Sequence, residues 1–211
     1  MSSPARAAAA LGGAPSLSFQ RAASACAMAT AAAGVGYAIA FVLLDSTLGS
    51  GAFLLLGGLL AVPVLVAAYE RVRGTDQGVA LSALLLGVAG ALGAAVHGGY
   101  DLANALHPPV GGGDLPNAVD PRGLLTFGVA GLSVALLAWL IRRGRALPAG
   151  LGALGWVLAA LLLVLYFARL VILEATSPVV ALPALLAGFL VNPAWYVWLG
   201  LALRPAQEAN A

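Results

Sequence analysis

The chain has few charged residues and contains no lysine. Only 9% of its 211 residues are charged, and arginine supplies all ten positive charges. A soluble globular domain carries about 25% charged residues, so this chain cannot cover a water-facing surface with polar groups. Since 62% of the residues are hydrophobic, we expect the chain to fold in lipid. The bias toward Ala, Gly, Leu and Arg is typical of a GC-rich bacterial genome.

Cysteine and histidine are equally scarce, which excludes several kinds of site. The single Cys26 cannot form an internal disulfide. The sequence "ASAC" resembles a lipoprotein cleavage box, but the short interval between Arg21 and Cys26 leaves no apolar segment before the cysteine. The net charge is only +2, and the arginines are explained by membrane topology, so we expect no nucleic-acid binding.

The chain contains several long apolar runs. A transmembrane helix needs roughly 20 mainly apolar residues, and six stretches qualify: 22–44, 50–69, 78–105, 123–141, 149–173 and 179–203. The runs are continuous and do not alternate, which favours helices over a β-barrel. The sequence therefore predicts an all-α membrane protein, a polytopic bundle of six transmembrane helices. This single domain (22–203) has a short N-terminal tail (1–21) and a short C-terminal tail (204–211).

The arginines predict the orientation of the bundle. Eight of them fall on one side of a six-span topology: Arg6, Arg21, Arg71, Arg73, Arg142, Arg143, Arg145 and Arg204. The other side holds only Arg122 and Arg169. By the positive-inside rule both termini are cytoplasmic, and the protein is a multi-pass protein of the cell inner (plasma) membrane. All four tryptophans fall near the cytoplasmic ends of the spans, as in an aromatic belt.

Small residues predict how the helices pack. Gly87, Gly90 and Gly93 recur in span three at a spacing that lets helix backbones approach closely in lipid. A nucleotide-binding loop is excluded, because no strand precedes these glycines and no G-K-[ST] follows them. Prolines remove a backbone hydrogen bond and are candidate kinks; those inside the spans are Pro63, Pro183 and Pro193.

A polar stretch, "HGGYDLANALHPP" (97–109), ends the third span. At about 100° per residue, His97, Tyr100, Asp101 and Asn104 fall on one helical face. His97 and Asp101 are an i,i+4 pair, close enough to hydrogen-bond. The sequence therefore predicts a polar stripe near the outer membrane boundary.

The second histidine belongs to a different piece of the chain. Pro108 disfavours helical geometry at His107, so we expect the helix to end near Ala105 and to be followed by a long outer loop (106–122). Two histidines beside one end of a single helix cannot ligate a haem from opposite sides. His97, His107 and Asp101 are suitable zinc ligands by type, but no HExxH or HxxxH spacing supports a metal site.

Arg169 approaches the same side of the membrane from span five. An arginine inside the hydrocarbon costs at least about 2.5–3.5 kcal/mol unless it is paired or reaches the headgroups. Asp101 is the partner expected first, and Glu174 or Asp45 second. The candidate polar site therefore consists of His97, Tyr100, Asp101, Asn104, Arg169 and Glu174.

These observations favour a non-catalytic bacterial membrane protein with an outward-facing polar site and no metal or cofactor. One alternative is a small-solute or proton-linked transporter or sensor that uses His97, Asp101 and Arg169. A second alternative is a metal-dependent membrane hydrolase. The lipid bilayer is the expected partner, and a homo-oligomer or a membrane partner subunit is compatible with the sequence. The plan resembles many small bacterial six-helix membrane proteins, and no motif identifies a family.

Overall fold

The structure, a computed structural model, describes residues 16–108, 124–172 and 177–205. Within these ranges the chain is helical without strands, and it forms six helices long and apolar enough to cross a membrane. The prediction of an all-α membrane protein with six spans is confirmed. The helices are α1 (Leu17–Leu43), α2 (Thr47–Val72), α3 (Gln77–Leu106), α4 (Thr126–Arg143), α5 (Ala149–Val171) and α6 (Pro178–Leu203).

Polar caps determine where the first three helices begin. The N-cap residues are Ser16, Ser46 and Asp76, and each side chain accepts a hydrogen bond from the backbone N–H three residues later at 3.0–3.2 Å. Such bonds satisfy N–H groups that have no partner within the helix. Consequently α1 begins at Leu17 and includes Arg21, whereas the sequence assigned both to the tail. Hydropathy marks the lipid-crossing part of a helix, and the cap marks its first turn.

Within the described residues three segments are π-helical: Ile39–Leu43 at the end of α1, Leu124–Val129, which leads into α4, and Ala187–Val191 inside α6. The α6 segment lies between Pro183 and Pro193, two of the candidate kink residues. Pro63, the third, lies inside α2, which is α-helical throughout. Single π-helical turns are rare in proteins as a whole, and many of those that occur are found at functional sites.

The six helices form a ring in sequence order. Each helix packs against the next one along the chain, and α6 returns to pack against α1. We call the half of the bundle that contains the α1–α2 connection the distal half. The half that contains the start of α1 and the end of α6 is the proximal half. The distal half corresponds to the side that the sequence predicts to be outside the cell.

Glycines bring α2 and α3 into close antiparallel contact. A Cβ atom added to Gly58 would lie 2.5 Å from the carbonyl oxygen of Ala91, and one added to Gly51 would lie 2.9 Å from the carbonyl oxygen of Gly98. Because the earlier residue of α2 faces the later residue of α3, the two helices run antiparallel. Small residues permit this backbone approach, which supplies the dispersion contacts that hold helices together in lipid.

The glycines predicted to pack α3 are buried. A Cβ on Gly90 would lie 3.0 Å from Ala130 of α4, and one on Gly87 would lie 2.7 Å from the hydroxyl oxygen of Ser133. Gly93 is buried on the same helix. Gly87 and Gly90 therefore stand where α3 and α4 meet.

Large side chains fill the proximal half. The largest of the fully buried side chains there belong to one cluster: Val64, Val72, Leu137, Leu140, Leu151, Leu158, Trp195, Leu199 and Leu203. Polar contacts reinforce this packing, since the Ser24 hydroxyl donates to the carbonyl of Gly200 at 2.8 Å. The Arg71 guanidinium donates to the carbonyl of Leu203 at 3.3 Å. The proximal half is therefore a packed core that joins all six helices.

Candidate functional site: a cavity in the distal half

The distal half encloses a cavity of about 550 Å³, and every one of the six helices contributes to its lining. This volume falls within the range of about 300–1,000 Å³ typical of small-molecule sites. On α3 the lining extends from Gly87 to Asp101, a distance of roughly 21 Å at about 1.5 Å per residue. The cavity is therefore elongated along α3.

One histidine, one aspartate and one arginine line the cavity toward its distal end. His97 and Asp101 come from α3, one helical turn apart, and Arg169 comes from the last turn of α5. The Nε2 atom of His97 lies 3.4 Å from an Oδ atom of Asp101, and their side chains are 15% and 25% exposed. The structure thus brings three of the six candidate residues to one cavity, although they belong to two helices far apart in the sequence.

The other candidate residues that the structure describes lie outside the cavity lining. Tyr100 and Asn104 are partly buried on α3 and do not belong to the cavity lining. Glu174 lies outside the described residues. Asp45, the other alternative partner of Arg169, is an exposed residue of the α1–α2 connection with a positive φ of 47°. His107 caps the end of α3 and is exposed, so it does not share the cavity with His97.

Several deeper hydroxyl groups of the lining donate to backbone carbonyls. The Thr30 hydroxyl donates to Cys26 at 2.8 Å, and the Ser133 hydroxyl donates to Ala83 at 2.7 Å. Because these donors are already engaged within the protein, they add little polarity to the surface of the cavity. The polar groups that face the cavity are thus concentrated at its distal end, where the charged residues lie.

The floor of the cavity is mainly apolar. Its lining there belongs at the same time to the proximal core, and it includes Leu65, Val134, Leu158 and Trp195. Asn192 and Tyr196 of α6 also line the cavity at this level. The site therefore has a charged distal end and a predominantly apolar interior that ends against packed side chains.

Sequence reasoning missed several lining residues. The polar lining residues Tyr37, Thr126, Tyr166 and Asn192 were not among the predicted site residues. The sequence did contain a sign of them, because a polar residue inside an apolar span usually faces the interior of a bundle. What the sequence lacked was the order of the helices around the ring.

Metal ligands are sparse in this site. Over the residues that the structure describes, no group of three or more His, Cys, Asp and Glu side chains lies close enough to hold a metal ion. His97 and Asp101 supply two ligands, whereas a catalytic zinc site usually has three protein ligands. The described geometry therefore gives no support to a metal-dependent hydrolase.

Comparison with known protein families, curated proteins and solved structures finds no match for this chain. Function must therefore be inferred from the cavity itself. Three properties of the cavity bear on function: its shape, the charged residues at its distal end and its apolar floor.

Proposed function

We propose that this protein binds a small molecule in the cavity of its distal half, and that it is a non-catalytic protein of a bacterial plasma membrane. The arginine distribution supports cytoplasmic termini, so the cavity faces the outside of the cell. The bound molecule has one polar end, held by His97, Asp101 and Arg169, and an apolar body that extends toward Trp195.

The observation that carries this proposal is the cavity of about 550 Å³, to which all six helices contribute. Small-molecule sites have volumes in this range, and they are mainly apolar with a few convergent polar groups. The lining has this composition, because His97, Asp101 and Arg169 stand among mainly apolar residues.

The charged groups support the same proposal. Arg169 lines the cavity near the end of α5, and a guanidinium offers five N–H donors and no acceptor. Asp101 and His97 face the same space from α3. Ionisable residues within membrane spans are costly and usually mark a pathway or a ligand site.

The direct test is native mass spectrometry of the full chain, purified in a mild detergent. We expect a fraction of the wild-type protein to carry a co-purifying molecule at a one-to-one ratio. Arg169→Gln should reduce that fraction several-fold, because the amide has fewer donors and no charge. Arg142→Gln is the matched control, since Arg142 is exposed at the proximal end of α4.

Two results would count against the proposal. One is a wild-type protein without any bound molecule, even when it is extracted directly into lipid nanodiscs. The other is equal occupancy in Arg169→Gln and the wild type, which would mean that the molecule binds elsewhere.

A proton-linked transporter is the second candidate, and the His97–Asp101 contact at 3.4 Å favours it. Histidine changes charge near neutral pH, so a proton on this pair could couple to binding. Transport also requires a second conformation, because the packed proximal core closes the other half of the ring. Uptake of a solute by vesicles that contain the protein, driven by a pH gradient and lost in His97→Ala, would distinguish transport from binding alone.

A further inference from the structure

The distal parts of α1 and α6, which both line the cavity, do not pack closely against each other in the described part of the chain, and we call the gap between them the opening. In the proximal and middle parts these two helices are in contact. A Cβ on Gly34 would lie 3.1 Å from the side-chain nitrogen of Asn192, and one on Gly188 would lie 3.3 Å from the Cβ of Ala38. Both helices become π-helical at this level, over Ile39–Leu43 and Ala187–Val191.

Beyond this level α1 and α6 pack against different neighbours. The distal segment of α6, Pro178–Leu186, packs against α5, where Val180 forms a small apolar cluster with Leu165 and Ala168. The distal segment of α1, Ile39–Leu43, packs against α2. Within the described part of the chain, no comparable packing joins the two distal segments. The ring is therefore closed between α3 and α4 and open between α1 and α6.

The side chains that border this opening are apolar, and those on the α1 side face both the cavity and the outside of the bundle. Phe41 and Val42 line the cavity, yet their side chains are 57% and 46% exposed. Across the opening, Val180 and Ala184 of α6 also line the cavity. The opening lies within two spans that are apolar enough to cross the bilayer. The exposed side chains beside it are apolar on both helices, with Leu43 at 67% and Leu182 at 59%, so we expect the opening to face lipid.

From these observations we infer that the ligand is a single-chain amphipathic lipid, which enters the cavity sideways from the bilayer between α1 and α6. The inference rests on the proposed function of the cavity. A charged solute that crossed this apolar opening would lose its water without a compensating partner. A hydrocarbon chain that is already in the bilayer carries no water of hydration, so the same step involves no desolvation.

The shape and polarity of the cavity match such a molecule. A volume of about 550 Å³ spread over roughly 21 Å of α3 has room for one extended hydrocarbon chain. The charged residues stand at the distal end and the apolar floor lies toward the middle of the membrane. A lipid in the distal leaflet has the same arrangement, with its head at the surface and its chain directed inward. Arg169 and His97 suit a head group that accepts hydrogen bonds, such as a carboxylate.

Trp195 provides a reporter for the test, because it lines the floor of the cavity and is 1% exposed. The other tryptophans, Trp139, Trp156 and Trp198, do not line the cavity and are replaced by Phe. The single-tryptophan protein is reconstituted in phosphatidylcholine vesicles. The probe is stearic acid brominated near the middle of its chain, since bromine quenches tryptophan fluorescence at short range. We expect quenching that saturates as the probe is added, above a small linear background from the bilayer.

Matched substitutions at the opening test the route. Val42→Phe enlarges a side chain that lines the opening, and we expect it to raise the half-saturating probe concentration at least about tenfold. Leu43→Phe is the control, because Leu43 is 67% exposed and does not line the cavity. Ala184→Phe narrows the opening from the α6 side and should act like Val42→Phe.

The outcomes separate this inference from the proposed function. Saturable quenching that is weakened by both plugging substitutions and not by the control supports lateral access. Quenching that is linear, or equally strong in Val42→Phe, Ala184→Phe and Leu43→Phe, overturns it. If quenching is linear while native mass spectra show a bound water-soluble molecule, the cavity binds a ligand that arrives from water. If both experiments find no ligand, the proposed function fails as well.

Discussion

The close approach of α2 and α3 can be tested with two neighbouring glycines that undergo the same substitution. A Cβ on Gly58 would lie 2.5 Å from the carbonyl oxygen of Ala91 and 2.7 Å from the amide nitrogen of Ala95. Both obstacles are backbone atoms of a packed helix. A Cβ on Gly57 would meet only the Cβ of Ala33, at 3.6 Å, which is an ordinary contact. Gly58→Ala must therefore push the helices apart, whereas Gly57→Ala needs no movement.

The expected difference follows from these contacts. Replacing Gly by Ala inside a helix gains about 1 kcal/mol of helix propensity, and this gain is common to both variants. Overpacking a well-packed contact costs about 1–3 kcal/mol and applies only to Gly58→Ala. We therefore expect Gly58→Ala to be less stable than Gly57→Ala by about 1–3 kcal/mol.

Equilibrium unfolding of the two variants in mixed micelles with increasing SDS, followed by circular dichroism, measures this difference. The wild type is unfolded in the same series as the common reference. Equal unfolding free energies for Gly57→Ala and Gly58→Ala, within about 0.5 kcal/mol, would refute the described contact between α2 and α3.

Three further predictions concern other parts of the bundle. Ser133→Ala removes the hydroxyl that donates to α3 at 2.7 Å, and we expect a loss of about 0.6 kcal/mol in the same unfolding assay; unchanged or higher stability would contradict this. Ala94→Leu adds apolar volume to the cavity lining. We expect it to raise the stability of the empty protein and to lower ligand occupancy in native mass spectra. A rise in both stability and occupancy would be inconsistent with a ligand in this cavity. In a Cys26→Ser background, a membrane-impermeant maleimide added to intact cells should label His107→Cys and not Gly74→Cys; the reverse pattern would invert the predicted orientation.

The sequence was sufficient to predict six spans, because a transmembrane helix must satisfy its own backbone and face lipid along most of its length. It was less accurate about where the helices begin. Hydropathy placed the start of α1 at Ala22, while the Ser16 cap begins the helix at Leu17. The caps Ser46 and Asp76 are equally visible in the sequence, and they would have improved the boundaries of α2 and α3.

Only those parts of the site that lie on a single helix could be predicted from the sequence. His97 and Asp101 share a face because of the 3.6-residue period, and this local rule placed them together. Their meeting with Arg169 in one cavity depends on the order of the helices around the ring, which no local rule contains. The π-helical segments are similarly invisible in the sequence, since the residues of Ile39–Leu43 are ordinary helix formers in lipid.

The distribution of side-chain size explains why a cavity forms in one half of the ring and a core in the other. Many inward positions of the distal half are small, as Gly34, Ala94 and Gly188 illustrate, although aromatic residues such as Tyr37 also line the cavity. Fully buried leucines occupy more of the inward positions of the proximal half. In water, apolar walls around a void would be driven together by the hydrophobic effect. In lipid that drive is absent between helices, so small residues can leave a space wherever the backbones are held apart. The proximal core sets this separation, and the α1–α6 opening allows a chain from the bilayer to occupy the space.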